Sequence, residues 1–219
     1  MPLILHKYIG NGEIGLWKIS EQVDELISLA SLSAIDTITY NGITALHRKK
    51  EWLATRALLS QLMIGPQSIK YHNDGRPYLE NSITNISISH STGYIAVMLH
   101  IVYNPGIDIE LISRKVGKVG SRFLSSDEFA VCNEEPSLSN HRMLIHWCAK
   151  EAIYKMVPVS NIEFATDIRI TLGNTNEDSG TFQGIFNDKS GPIPITLFYL
   201  IVSEVLMVWG CADEDKFHF

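Results

Sequence analysis

Cysteine is scarce in this chain. Cys132, Cys148 and Cys211 are spread through 219 residues with no CxxC pair, which argues against a disulfide scaffold or a structural zinc site and suits a reducing compartment. Long apolar runs are missing too, since none approaches the roughly 20 residues that a membrane span needs. The first residues reach His6 and Lys7 after only a few apolar positions, unlike a secretory signal. A cytoplasmic protein is therefore expected. Basic residues are in deficit, 18 Lys and Arg against 24 Asp and Glu, and this net charge of −6 argues against nucleic-acid binding through a basic surface. No low-complexity segment and no long linker is present. What remains, 45% hydrophobic and 19% charged, is an ordinary globular composition, long enough for one large domain or two small ones.

The most informative stretch runs from His146 to Lys155, HWCAKEAIYK. It reads as a helix, because Ala, Lys, Glu and Leu are frequent and no Gly or Pro occurs between Leu138 and Val157. Steps of four place Trp147, Glu151 and Lys155 on one stripe, beside an apolar stripe of Leu144, Cys148, Ala152 and Met156. Taken alone, Glu151 and Lys155 fit a surface ion pair worth roughly 0.2–0.5 kcal/mol as well as they fit a functional site.

Upstream, residues 3–9 and 13–19 read as strands around Gly10-Asn11-Gly12. Ser20 reads as the cap of a helix over about 21–31. A longer helix is expected over 43–63, with Leu46, Leu53, Ala57 and Leu62 on its buried side. Arg48, Trp52 and Arg56 fall on a neighbouring stripe, with the arginines about 12 Å apart along the axis. That stripe suits a solvated basic face or, more sharply, an anion site. Strand signals follow at 68–71, at 76–79 after the turn Asn73-Asp74-Gly75, at 85–90 and at 94–102. Ser87, Ser89 and His90 crowd one strand tip, which suits either a structural histidine or phosphate contacts.

Asn104-Pro105 marks the expected boundary between halves, 1–103 and 104–219. In the strand over 106–111, Ile107 and Ile109 face one way and Asp108 and Glu110 the other, the acids about 7 Å apart along the strand. Burying two such carboxylates without a cation is costly, so the pattern reads either as an exposed face or as a site for a hard cation such as Mg²⁺. A basic loop or short helix over 114–120 and a helix capped by Ser125 or Ser126 come next. Beyond Pro158, strands are expected near 163–172, 181–187, 194–202 and 205–211, with Asn174 to Gly180 as a polar turn. A long helix followed by strands thus occurs twice, which points to two α+β halves.

Gly75-Arg76-Pro77, Ser87-Ile88-Ser89-His90-Ser91, Gly106-Ile107-Asp108-Ile109-Glu110 and Trp147 to Lys155 occur in that order. Together they resemble the 4′-phosphopantetheinyl transferase superfamily, in the longer monomeric form that activates peptide and polyketide synthetases, over roughly residues 46–157. The resemblance implies an α+β fold of two similar lobes related by a pseudo-twofold, each a long helix on an antiparallel sheet, with the active site in the cleft between them. It implies coenzyme A as donor, Mg²⁺ as metal and a serine of an apo acyl or peptidyl carrier protein as acceptor, with no nucleic-acid or membrane partner. Asp108, Glu110 and Glu151 would hold the metal, and Glu151 would also take the serine proton. Lys155 would hold the pyrophosphate, Ser89 and His90 would contact phosphates, and Arg48 and Arg56 would meet the 3′-phosphate end. Arg76 stands where the family commonly has Lys, and would help hold the nucleotide.

Two readings from other classes compete. A coenzyme A- or carrier-binding relative without turnover would not need the set Asp108, Glu110, Glu151 and Lys155. An unrelated Mg²⁺-dependent phosphohydrolase would split coenzyme A in the absence of any carrier.

Overall fold

Alternation, capping and glycine placement account for most of the elements in the computed structural model, which describes residues 2–65, 67–159, 161–173, 175 and 177–217. The chain divides into two compact units, one ending at Val102 and the other beginning at Tyr103. Both combine helices with antiparallel sheet, an α+β architecture.

In the first unit, strands β1 (Leu3–Ile9) and β2 (Gly12–Lys18) form a hairpin. Helices α1 (Val23–Leu29), α2 (Ala34–Gly42) and α3 (Leu46–Leu62) follow. Next come the short pair β3 (Ile69–Tyr71) and β4 (Pro77–Leu79), then β5 (Asn85–Ser91) and β6 (Tyr94–His100). The main sheet has the order β1-β2-β6-β5. Gly93, at φ +80°, makes the tight turn from β5 to β6, a conformation that other residues enter at a cost. Leu53, Ala57 and Leu58 of α3 pack with Ile95, Val97 and Leu99 of β6 in one apolar core. Leu46, expected on the buried side, is exposed because it is the first residue of α3.

Two local readings are corrected. The cap of α1 is Gln22 with Glu25 in a capping box, not Ser20; the Ser20 amide instead donates to Glu21. Helix α2 was not anticipated, although Ser33 and Asp36 form a capping box with the right spacing.

The second unit opens with β7 (Asn104–Leu111), followed by a 3₁₀ turn at Gly117–Arg122, α4 (Ser126–Asn133) and α5 (Ser139–Met156). A single helical turn, α6 (Phe164–Asp167), precedes β8 (Ile168–Thr171). This replaces the start of the strand expected from 163, because the Asp167 carboxylate accepts the Glu163 amide and holds the turn. Strands β9 (Ser179–Asp188), β10 (Gly191–Val202) and β11 (Val205–Ala212) complete an antiparallel sheet ordered β7-β11-β10-β9-β8. Asn174 and Asn176 of the expected polar turn lie outside the described residues. Leu144, Cys148, Ala152 and Met156 of α5 are fully buried in one core with Ile170, Phe182, Leu197 and Val208 of the sheet. Among the described residues, no helix is long and apolar enough to cross a membrane.

Candidate functional site

The site in the second unit starts from a glycine. Gly106 lies on β7 against α5, where a Cβ would meet the Ala152 carbonyl oxygen at 2.1 Å and Met156 Cγ at 2.5 Å. Only the missing side chain lets the helix rest on this strand. The pleat then aims Asp108 and Glu110, two and four residues on, toward the same face. Both are buried, at 6% and 8% exposure, so the reading of an exposed acidic edge is excluded.

Each buried acid has a cation. Lys155 Nζ of α5 donates to Asp108 Oδ1 at 2.9 Å and to the Ile107 carbonyl at 2.8 Å. The Arg114 guanidinium pairs with Glu110 and lies 5.2 Å from the centre of the Trp147 ring. Trp147 in turn packs edge-on against Phe123 at 5.2 Å. One turn before Lys155, Glu151 is half-buried. Burial pushes its carboxyl above the usual range, and the Asp108 charge adds to this against the pull of Lys155 and Arg114. The Cys148 thiol on the same helix is also pushed well up, by burial and then by Asp108. It is a packing residue, with no thiolate character.

The structure therefore pairs Asp108 with Lys155, keeps Glu151 one turn earlier on α5 within range of both charges, and places Glu110 under Arg114. It does not draw the three acids into a cage: among the described residues, no three His, Cys, Asp or Glu side chains are gathered closely enough to hold a metal ion. The donor chemistry itself, carboxylate oxygen only, is that of a hard cation such as Mg²⁺. Arg114 is the site residue whose role sequence reasoning missed. It was visible only as part of a basic loop, and its contact with Glu110 four residues earlier depends on the chain turning after β7.

The candidates in the first unit fare differently. Arg48 is exposed in the first turn of α3. Arg56 is 6% exposed, lies 3.3 Å from the centre of the Trp52 ring and donates from Nε to Asp36 Oδ1 at 2.8 Å. Its charge is thus met inside the unit by a helix the sequence reading did not identify. Arg76 is tied to Asp74 of the β3–β4 turn at 2.8 Å. On β5, Ser89 is buried and His90 exposed, so these neighbours point to opposite faces.

Residues 104–199 match the family model of the 4′-phosphopantetheinyl transferase superfamily. That stretch, which runs from β7 through α5 and into β10 and holds Asp108, Glu110, Glu151 and Lys155, is thus similar to this transferase superfamily. No curated protein matches the chain.

Proposed function

We propose that the protein is a holo-carrier-protein synthase, moving the 4′-phosphopantetheine group of coenzyme A to a serine of an apo acyl or peptidyl carrier protein. The observation that carries this reading is the ion pair of Lys155 with Asp108, with Glu151 one turn earlier on the same helix, inside the stretch that matches the superfamily. The serine Oγ attacks the β-phosphorus of coenzyme A. A new P–O bond forms, the bond to the 3′,5′-bisphosphate nucleotide breaks, and the serine proton leaves to a base. Glu151 is that base. A carboxylate that also holds Mg²⁺ would stay ionised, so its action as base would come from its position more than from a raised pKa.

Lys155 spends two N–H donors on Ile107 and Asp108, and a lysine ammonium has a third for a phosphate oxygen. Such a fixed charge stabilises the developing negative charge and needs no reorganisation during the reaction. Asp108, Glu110 and Glu151 are the residues that would hold Mg²⁺, which when bound would neutralise pyrophosphate charge. Orientation and charge placement supply most of the catalysis for this class of transfer. The resemblance assigns nucleotide-end contacts to the first unit, where Arg48, Arg76, Ser89 and His90 are the candidates; Arg56 is the weakest, given its pair with Asp36. The polyketide, nonribosomal peptide or fatty acid setting, the monomeric state and the cytoplasmic location rest on the sequence reading.

The test is intact-mass spectrometry of an apo carrier protein incubated with this protein, coenzyme A and Mg²⁺, with Glu151→Ala in parallel. A gain of one phosphopantetheine unit that the variant loses supports the reading. Coenzyme A binding without transfer to any of several carriers favours the binding-only relative. Coenzyme A cleavage without a carrier favours the hydrolase.

A further inference from the structure

Next to Glu151 in sequence stands a charge that points away from the site. Lys150 is fully buried, and its ammonium uses all three of its donors: to Glu128 Oε2 at 2.7 Å, to the Phe164 carbonyl at 2.8 Å and to the Ile168 carbonyl at 2.7 Å. Glu128 is as fully engaged. It accepts the Ser125 amide on Oε2 and the Ile170 amide on Oε1, each at 2.8 Å. One ion pair thus ties the start of α4, the middle of α5, the turn α6 and strand β8.

Burial alone would raise the Glu128 carboxyl, but the bonds from Lys150, Ser125 and Ile170 outweigh it and hold the group below its ordinary value. The pair is read as ionised, because three oxygens accept from the ammonium. Burial, above all, lowers the His146 imidazole one turn earlier.

Packing does not demand this arrangement. A buried ion pair can often be replaced by apolar residues with no loss of stability, and α5 already has a full apolar stripe. What three directed bonds add is orientation. Successive helix residues are about 100° apart around the axis, so fixing Lys150 on one side fixes where Glu151 and Lys155 emerge on the other. We propose that Lys150 is a positioning residue: Glu128 and the Phe164 and Ile168 carbonyls clamp it, and the clamp sets the rotation of α5 that delivers Glu151 and Lys155 to Asp108. The catalytic consequence rests on the transferase reading above; the structural one does not.

The experiment compares Glu128→Gln, Lys150→Met and the double variant with the wild type, in thermal melts, in steady-state transfer to an apo carrier protein, and in backbone hydrogen exchange without substrates. Lys150→Met leaves Glu128 buried and uncompensated, so Tm falls; the double variant removes both charges and Tm recovers. Expected for the double variant is a kcat lowered at least about tenfold, in line with the cost of a small misplacement, with the KM for coenzyme A within about twofold of wild type. Exchange should quicken across residues 151–156. Wild-type kcat and wild-type exchange at recovered Tm would overturn the clamp as a positioning device and leave it a folding element. Should the double variant stay destabilised, exchange well below its melting point decides: early loss of protection confined to 151–156 supports the proposal, and uniform loss over the second unit overturns it. A wild-type protein that transfers nothing would sink the transferase reading while leaving the exchange result valid.

Discussion

Lys155 on α5 and Asp108 on β7 are joined by a 2.9 Å hydrogen bond between opposite charges, 47 residues apart in sequence. Glu151 lies close enough to both for each charge to act on its carboxyl. On the transferase reading proposed above, the bond would hold the lysine ready for a phosphate, at the cost of committing part of its charge to Asp108. Lys155→Met should therefore lower kcat by about 10²-fold, the range seen when a fixed donor to developing charge is lost. Asp108→Asn should be milder in charge but should loosen Lys155. Single-turnover mass spectrometry of the carrier product checks both, and a Lys155→Met protein of unchanged rate would remove Lys155 from the reaction.

Gly106 makes the second prediction. A methyl group there must displace the Ala152 carbonyl, part of the helix backbone, and not merely a flexible side-chain end. Gly106→Ala should destabilise the second unit by about 1–3 kcal/mol, as overpacking does, and should lower transfer by lifting α5 from β7. Gly42→Ala is the control, since a Cβ at this helical position meets nothing within 4 Å. Chemical unfolding of the two variants should show a loss for the first and none for the second.

The first unit offers a pH test. Burial raises the Asp36 carboxyl, but the hydrogen bonds and charge of Arg56 together with Ser33 bring it below its ordinary value. A carboxyl depressed by folding contributes stability that is complete above its unfolded value, about 3.9, and that is lost as pH falls through the lower folded value. Asp36→Ala should cost about 3–5 kcal/mol near neutrality, because it strands a buried guanidinium. The gap between wild type and variant should narrow below about pH 4. Unfolding followed through Trp52, which lies under Arg56, reads this unit directly. A gap that stays constant with pH would show that the pair does not carry the stability assigned to it.

These residues show what sequence could and could not reveal. The α5 stripes, the alternation of Asp108 and Glu110 and most strand positions follow from period alone, so they are visible without coordinates. The setting of Arg56 was not, because its partner sits on α2, and a short helix of Ile, Thr and Tyr has weak local propensity. Glu128 was visible as a capping residue; that the same carboxylate also receives Lys150 and the Ile170 amide depends on contacts 22 and 42 residues away. The burial of Asp108 and Glu110 was likewise beyond a local pattern, which fixes the face a residue occupies and not what covers it.

Arg114 yields the last prediction. Its guanidinium sits on Glu110, one of the acids proposed above to hold Mg²⁺, so on that reading a divalent ion and Arg114 would compete for one carboxylate. Arg114→Gln removes the competitor, and Mg²⁺ should then bind more tightly in the absence of coenzyme A. The arginine side chain is 42% exposed, and solvent-screened pairs are worth about 0.2–1 kcal/mol, so the dissociation constant should fall by no more than about fivefold. The variant also takes a cation from the face of Trp147, which gives a fluorescence signal independent of turnover. Calorimetric titration with Mg²⁺ measures the difference. Weaker binding in the variant would mean that Arg114 supports the acidic site, and unchanged binding would mean that Glu110 does not hold the metal.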